Sequence, residues 1–356
     1  MSLLESPAAQ ELLKDSTLLP SGIRNCRRDL AIFLRRYLPR FYRAEQREHA
    51  KVCIAGLLSD LQRKTCLPVA IAREVEEKPL QYFVGLGQWD DEAVMAELRQ
   101  HVAEELASAQ GCLIFDASGF PKKGQHSCGV KRQWCGRLGK IENCQVGVFM
   151  AYASEKGHGP VARRLYLPED WAADHKRRTK CHVPAEVVFQ TKLEIALQMV
   201  SRYGPQLPHA WVLGDDEFGR SAEFRAALRR EAERYILDVP CNTLVRDLEQ
   251  ARPHRRKAGH GRKKEVPFRR ADTWLKRQAP ARWAHLKVRD GEKGPLEVQA
   301  LRVRVKTKQD GRVGPEETLL VMRTVEPHPR TSYGLTNAPA KVSLEELMRA
   351  KHERHR

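Results

Sequence analysis

From Ala44 to Leu61 the apolar positions Ala44, Ala50, Val52, Cys53, Ala55, Leu57, Leu58 and Leu61 share a broad helical face, with Gln46, Arg47, Glu48 and Lys51 outside it. The same spacing returns between Asp91 and Ser108 through Val94, Met95, Leu98, Val102 and Leu106. Pro68 and Pro79 interrupt the pattern between them, so a break is expected there. From Cys112 the period shortens. Strands are predicted over 112–116, 127–134, 141–153 and 160–167, with Gly136 and Gly139 marking a hairpin turn. Pro184 is expected to open a helix running to about Arg202, and a strand follows over 210–215. Ser221 can cap a helix to about Glu233, and Tyr235–Val239 is a further strand. Alternation over 285–305 and 317–325 predicts more strands.

Three antiparallel strands, then helix, strand, helix and strand, is the order of an RNase H-like core. The predicted class is therefore α/β, an RNase H-like mixed sheet flanked by helices, with an N-terminal helical domain and a β-rich insertion. The expected divisions are a helical, DNA-binding region over 1–108, the core over 109–240, a basic β-rich insertion over 241–330, and a final strand and helix start over 331–356. Asp116 closes the apolar run Gly-Cys-Leu-Ile-Phe, and Asp215 closes Ala-Trp-Val-Leu-Gly. Two buried strands would each deliver a carboxylate at the carboxyl end, where a sheet places its chemistry. Carboxylate oxygens in that position suit Mg²⁺ (or Mn²⁺) acting on a phosphate. Asp216 is a rival to Asp215 by adjacency, but strand alternation would turn it to the other face if the strand extends that far.

Composition sharpens the choice of partner. Lys plus Arg total 63 against 45 for Asp plus Glu, a formal net charge of +18 over 356 residues, which favours a polyanion such as DNA. Nine of the cations fall in 252–270, among them Arg255, Arg256, Lys257, Arg262, Lys263 and Lys264, against the single acid Glu265. A second basic stretch over 24–43, including Arg35, Arg36 and Arg40, interleaves Phe33, Tyr37, Phe41 and Tyr42, a pattern that suits either an arm against phosphates or a solvated helix face. Lys122, Lys123 and Arg132 follow Asp116 closely enough to be DNA-binding residues at the site, and Gly119 and Gly124 would permit a tight turn after the first strand. No apolar run reaches the roughly 18 residues of a membrane span, and the amino terminus lacks a signal-like core, so a cytoplasmic, nucleoid-associated protein is expected. The nine cysteines form no Cys-x-x-Cys pair and are read as reduced, packing thiols. Cys181-His182 is the one adjacent pair that could ligate a soft metal.

The segments FDASGFPKKGQHSCGVKRQWCGRLGKIENCQVGVF, LYLPEDWAADHKRR, WVLGDDEFGRSAEFR and YGLTNAP, preceded by LQYFVGLGQWD, resemble bacterial insertion-sequence transposases of the DDE class. The resemblance implies a metal-dependent endonuclease that binds terminal inverted repeats on double-stranded DNA and cleaves and transfers strands to a target during transposition. A homodimer in the transposition complex is left open. It places the first acid at Asp116 and the second at Asp215. The family's third acid, a Glu, lies on a helix corresponding to the one that Ser343 and Glu346 open with a capping box. By alignment that Glu would fall a few residues beyond Arg356, which makes the chain look truncated before it, and Glu353 is the nearest substitute, about one turn away. Two readings follow, a strand-transferring enzyme and a DNA-binding protein without chemistry.

Overall fold

The computed structural model describes residues 20–251, 265–291 and 294–354. The chain divides into two compact units, one up to Leu98 and one from Arg99. The first unit is helical: α1 (Pro20–Tyr37), α2 (Ala44–Leu57), α3 (Cys66–Ala72), α4 (Glu77–Gly85) and the start of α5 (Asp91–Leu106). The two prolines expected to break this region instead start helices. Pro68 and Pro79 each occupy the third position of α3 and α4, where the missing N–H has no acceptor to lose within the helix. Two small cores form, one around Phe41, Ala50 and Phe83 and one around Val69, Ala70 and Leu80. Arg36 and Arg40 each approach Glu97 at 2.5 Å, and the bond from Arg40 leads in holding this buried carboxyl below its ordinary range. Those two arginines therefore serve the unit's own core. Tyr37 and Phe41 are buried, while Phe33 and Tyr42 remain exposed.

The described residues of the second unit form one 12-stranded sheet. At its centre β3 (Lys140–Ser154) runs antiparallel to β1 (Cys112–Pro121), and β1, β5 (Trp211–Gly214) and β6 (Tyr235–Val239) are parallel. β4 (Gly157–Tyr166) and the short β2 (Lys131–Cys135) both pair with β3. The order β4-β3-β1-β5-β6 with this polarity is the RNase H-like arrangement. Beyond β6 the same sheet continues through β12 (Thr331–Thr336), β11 (Arg312–Thr324), β10 (Gly294–Gln309), β7 (Leu244–Asp247) and β8 (Arg269–Arg270), with β9 (Ala284–Gly291) on β10. Of these, β7 to β11 fall within 241–330, where a β-rich insertion was expected, and β12 falls in the segment expected to hold the final strand.

Local signals explain the helices. After α6 (Glu169–Ala173) and α7 (His175–Lys180), α8 (Lys192–Tyr203) starts at a capping box in which Thr191 and Glu194 exchange bonds. Pro184, expected to open that helix, lies outside it in the preceding segment, because Thr191 and Glu194 satisfy the orphan N–H groups of a helix that starts at Lys192. α9 (Asp216–Gly219) is capped by Asp215, α10 (Ala222–Arg230) by Ser221, and α12 (Leu344–Glu353) by Ser343; α11 (Ala271–Leu275) lies between β8 and β9. Strand alternation splits the core across the sheet. Leu347 and Met348 of α12 pack with Trp211, Leu213, Ile236 and Leu320, whereas Leu319 and Val321 face Trp274, Leu301 and Val303. Among the described residues no helix is long and apolar enough to cross a membrane.

Candidate active site

β1 and β5 are in register over only four pairs, Cys112 with Trp211 through Phe115 with Gly214. The next residues on the two strands, Asp116 and Asp215, therefore leave the ladder side by side, at the roughly 4.8 Å spacing of neighbouring strands. β1 itself continues to Pro121 against β3, with Asp116 opposite Phe149. Asp116 thus stands in mid-strand, not at the strand end its sequence run suggested, and the opening arises because β5 stops. A cavity of about 640 Å³ lies there, lined by Asp116, Asp215, Glu217, Lys192, Arg137 and Trp134 among others. Gly119, expected in a turn, lies within β1. A Cβ there would sit 2.8 Å from Cys135 Sγ and 3.1 Å from its Cα, so its role is close packing of β2 on β1.

Asp215 has extended backbone and accepts the Glu217 N–H at 2.9 Å, which fixes its carboxylate as the cap of α9. Gly219, at the other end of that short helix, lies so close to β6 that a Cβ would fall 1.8 Å from the Asp238 carbonyl oxygen. Asp216 points away into an ion pair with Arg220 at 2.8 Å. Burial raises the Asp215 pKa above its ordinary value; the Arg354 charge and the Glu217 N–H act against this, and the Glu217 and Asp116 charges add to it. Arg354 is itself bound to Asp238 on β6, which also takes the buried Lys351.

Glu217 reaches Lys192 at 2.6 Å. Sequence reasoning missed Lys192, yet a signal existed. It follows the cap Thr191 at the first position of α8, where the helix dipole disfavours a cation, so its placement answers to something outside the helix. Arg137 was missed as well, since it enters from the turn after β2.

The remaining candidates among the described residues do not line this cavity. Lys122 and Lys123 are exposed on the segment after β1, where the Lys122 N–H donates to the Asn143 carbonyl and the Asn143 side-chain amide donates to the Lys122 carbonyl. Arg132 lines a different, basic cleft of about 570 Å³ with Lys131, Lys176, Arg177 and Lys180. Arg255, Arg256, Lys257, Arg262, Lys263 and Lys264 lie outside the described residues. Glu353 lines another cavity with Cys112, Trp211 and Arg289, apart from the two aspartates. Cys181 packs beneath Val130, Leu167 and Trp171, and its thiol donates to the His126 carbonyl.

A model of the DDE superfamily endonucleases matches residues 36–295. The chain belongs to that family. A probable transposase for insertion sequence element IS701 from Microchaete diplosiphon is 32% identical over 204 residues, 56% of this chain and 51% of that protein. The chain thus spans about half the length of this relative. The crystal structure of the NurA nuclease from Sulfolobus solfataricus aligns over 79% of this chain and 84% of its own at 9% identity with a TM-score of 0.30, too slight a likeness to bear on the fold.

Members of such a family typically use divalent cations. Asp116 and Asp215 fit one: both are hard oxygen donors, they are adjacent, and burial leaves the Asp215 charge incompletely compensated. Mg²⁺ characteristically takes one or two carboxylates and completes its shell with water and substrate phosphate. Among the described residues no group of three or more His, Cys, Asp or Glu side chains is placed to enclose a cation.

Proposed function

We propose that this chain cleaves and transfers DNA strands at the ends of a mobile element, with Asp116 and Asp215 as the metal-holding carboxylates. The observation that carries this reading is the parallel register of Phe115 with Gly214, which leaves the two acids adjacent in one cavity of a DDE endonuclease. A bound Mg²⁺ or Mn²⁺ supplies Lewis acidity toward the scissile phosphate. Asp116 and Asp215 hold that charge, while Lys192 keeps the Glu217 carboxylate occupied, so that it neither competes for the cation nor repels the phosphate. Lys122, Lys123 and Arg132, with the basic stretch 255–264, steer and grip the duplex of the inverted repeats and the target.

A second reading, DNA binding without chemistry, draws support from one observation. The described residues bring no third ligand to Asp116 and Asp215, and Glu353 faces a different cavity. Incubation of the full chain with a duplex carrying the element's inverted repeat and Mg²⁺ or Mn²⁺ separates the two. Strand cleavage is expected, with Asp116→Ala losing it while binding the same duplex with nearly unchanged affinity. Equal cleavage by Asp116→Ala sinks the site assignment, and binding without cleavage by the parent chain selects the second reading.

A further inference from the structure

The wall of the acid cavity carries a feature that metal-dependent cleavage leaves unused. Trp134 is 58% exposed, and of the six tryptophans it alone is exposed; the other five are buried or half-buried. Its indole makes no hydrogen bond or ring contact among the described residues. Phe120, 44% exposed, lines the same cavity, and Ile141, directly opposite Trp134 on β3, is 59% exposed. Leaving a large flat ring in water beside two carboxylates is unfavourable unless something covers it.

The same hairpin supplies the complement. By strand alternation Arg132 and Trp134 share one face of β2, about 7 Å apart along the strand, while Cys135 turns inward. Arg132 stands at the mouth of the basic cleft, where Lys176 and Lys180 of α7 join it. None of these three is in an ion pair among the described residues, although the Arg132 charge acts on Glu142 of β3, and Lys131 is held at 2.9 Å by Asp170, the one acid lining the cleft. An aromatic platform beside the acids, with Arg132 two residues away and Lys176 and Lys180 beyond it, matches a nucleic-acid strand, base on ring and phosphate on cation. A base inside a duplex has no free face to offer, so an internal base can cover the ring only by leaving the stack.

We propose that the outward face of the β2–β3 hairpin is a subsite for unpaired DNA next to the cleaved phosphate, with a base stacked on Trp134 and the backbone led past Arg132 into the Lys176 and Lys180 cleft. This rests on the strand-cleavage reading and goes further, since it makes the substrate a duplex opened by one or more nucleotides beside the acids.

The test measures binding of a labelled 20-nucleotide oligothymidine and of a labelled blunt duplex to the full chain in Ca²⁺. Trp134→Ala is expected to weaken single-strand binding about tenfold and duplex binding less than about twofold, with Trp134→Phe retaining most of the single-strand affinity. Replacing Arg132, Lys176 and Lys180 with Ala should lower the single-strand salt slope by about two units. The subsite is overturned if Trp134→Ala binds the single strand as tightly as the parent, or if it loses both ligands equally. Failure of the parent to bind either DNA overturns the strand-cleavage reading and the subsite together, so the two failures are distinguishable. Phe at 134 keeps an aromatic ring on the hairpin and guards against loss of folding being read as loss of stacking.

Discussion

Arg225 and Glu317 stand 92 residues apart in sequence and meet inside the protein; Asp116 and Asp215 come from neighbouring strands and meet at an open notch. In the first group every charge is answered. Arg225, 6% exposed, donates to Glu317, 1% exposed, at 2.9 Å, to Thr307 and to the Gly219 carbonyl, while Tyr235 donates its hydroxyl to Glu317 at 2.6 Å. Burial, followed by the Glu317 charge, pushes the Tyr235 pKa up and keeps that donor protonated. In the second group the Asp215 carboxylate is not fully answered: burial raises its pKa, Arg354 offsets this only in part, and Lys192 is committed to Glu217. Satisfied buried charges lock α10 to β10 and β11, whereas under-satisfied ones at a cavity mark where an external charge belongs.

The largest expected effect that would break this contrast is in the satisfied group. Glu317→Ala leaves the Arg225 guanidinium buried without a counter-charge and should cost about 3–5 kcal/mol of unfolding free energy, measured by urea denaturation. A loss below about 1 kcal/mol would mean the cluster is not the lock described. Next in size, Thr191→Ala removes the cap that anchors Lys192 at the start of α8 and should cost about 1 kcal/mol by the same assay. The smallest effect has the opposite sign. Asp215→Asn keeps the acceptor for the Glu217 N–H but removes a desolvated charge, so in EDTA its unfolding midpoint should rise above the parent's at neutral pH. Because the folded pKa of Asp215 is raised, the parent is least stable relative to this variant above that pKa. The difference should vanish as pH falls through it toward the ordinary carboxylate value. A midpoint that falls at neutral pH would show that the carboxylate's charge is already satisfied within the fold.

Much of the positioning was legible because it is written in local pattern. Apolar runs that end in an acid predicted β1 and β5; Asp216 is set apart from Asp215 not by alternation, since β5 ends at Gly214, but because it opens α9 and turns to Arg220. Capping chemistry located α10 and α12 through Ser221 and Ser343. Elsewhere the local rule pointed the wrong way. Pro68 and Pro79 read as breaks, though a proline in the first turn costs no hydrogen bond, and Pro184 read as a start, though Thr191 and Glu194 cap better. Gly119 read as a turn because its real constraint, Cys135 on a strand formed later in the chain, is invisible in one dimension. Lys192, Arg137 and Trp134 reach the cavity from three different elements, and only the tertiary register brings them together.

The central claim is that Asp116 and Asp215 jointly hold a divalent cation, and iron-directed cleavage of the protein backbone tests it without requiring DNA chemistry. Full-length chain incubated with Fe²⁺, ascorbate and peroxide should be cut near residues 116 and 215, the cuts should be suppressed by excess Mg²⁺, and both should disappear together in Asp116→Asn. Cuts confined to other segments, or cuts at 116 and 215 that persist in Asp116→Asn, would contradict it.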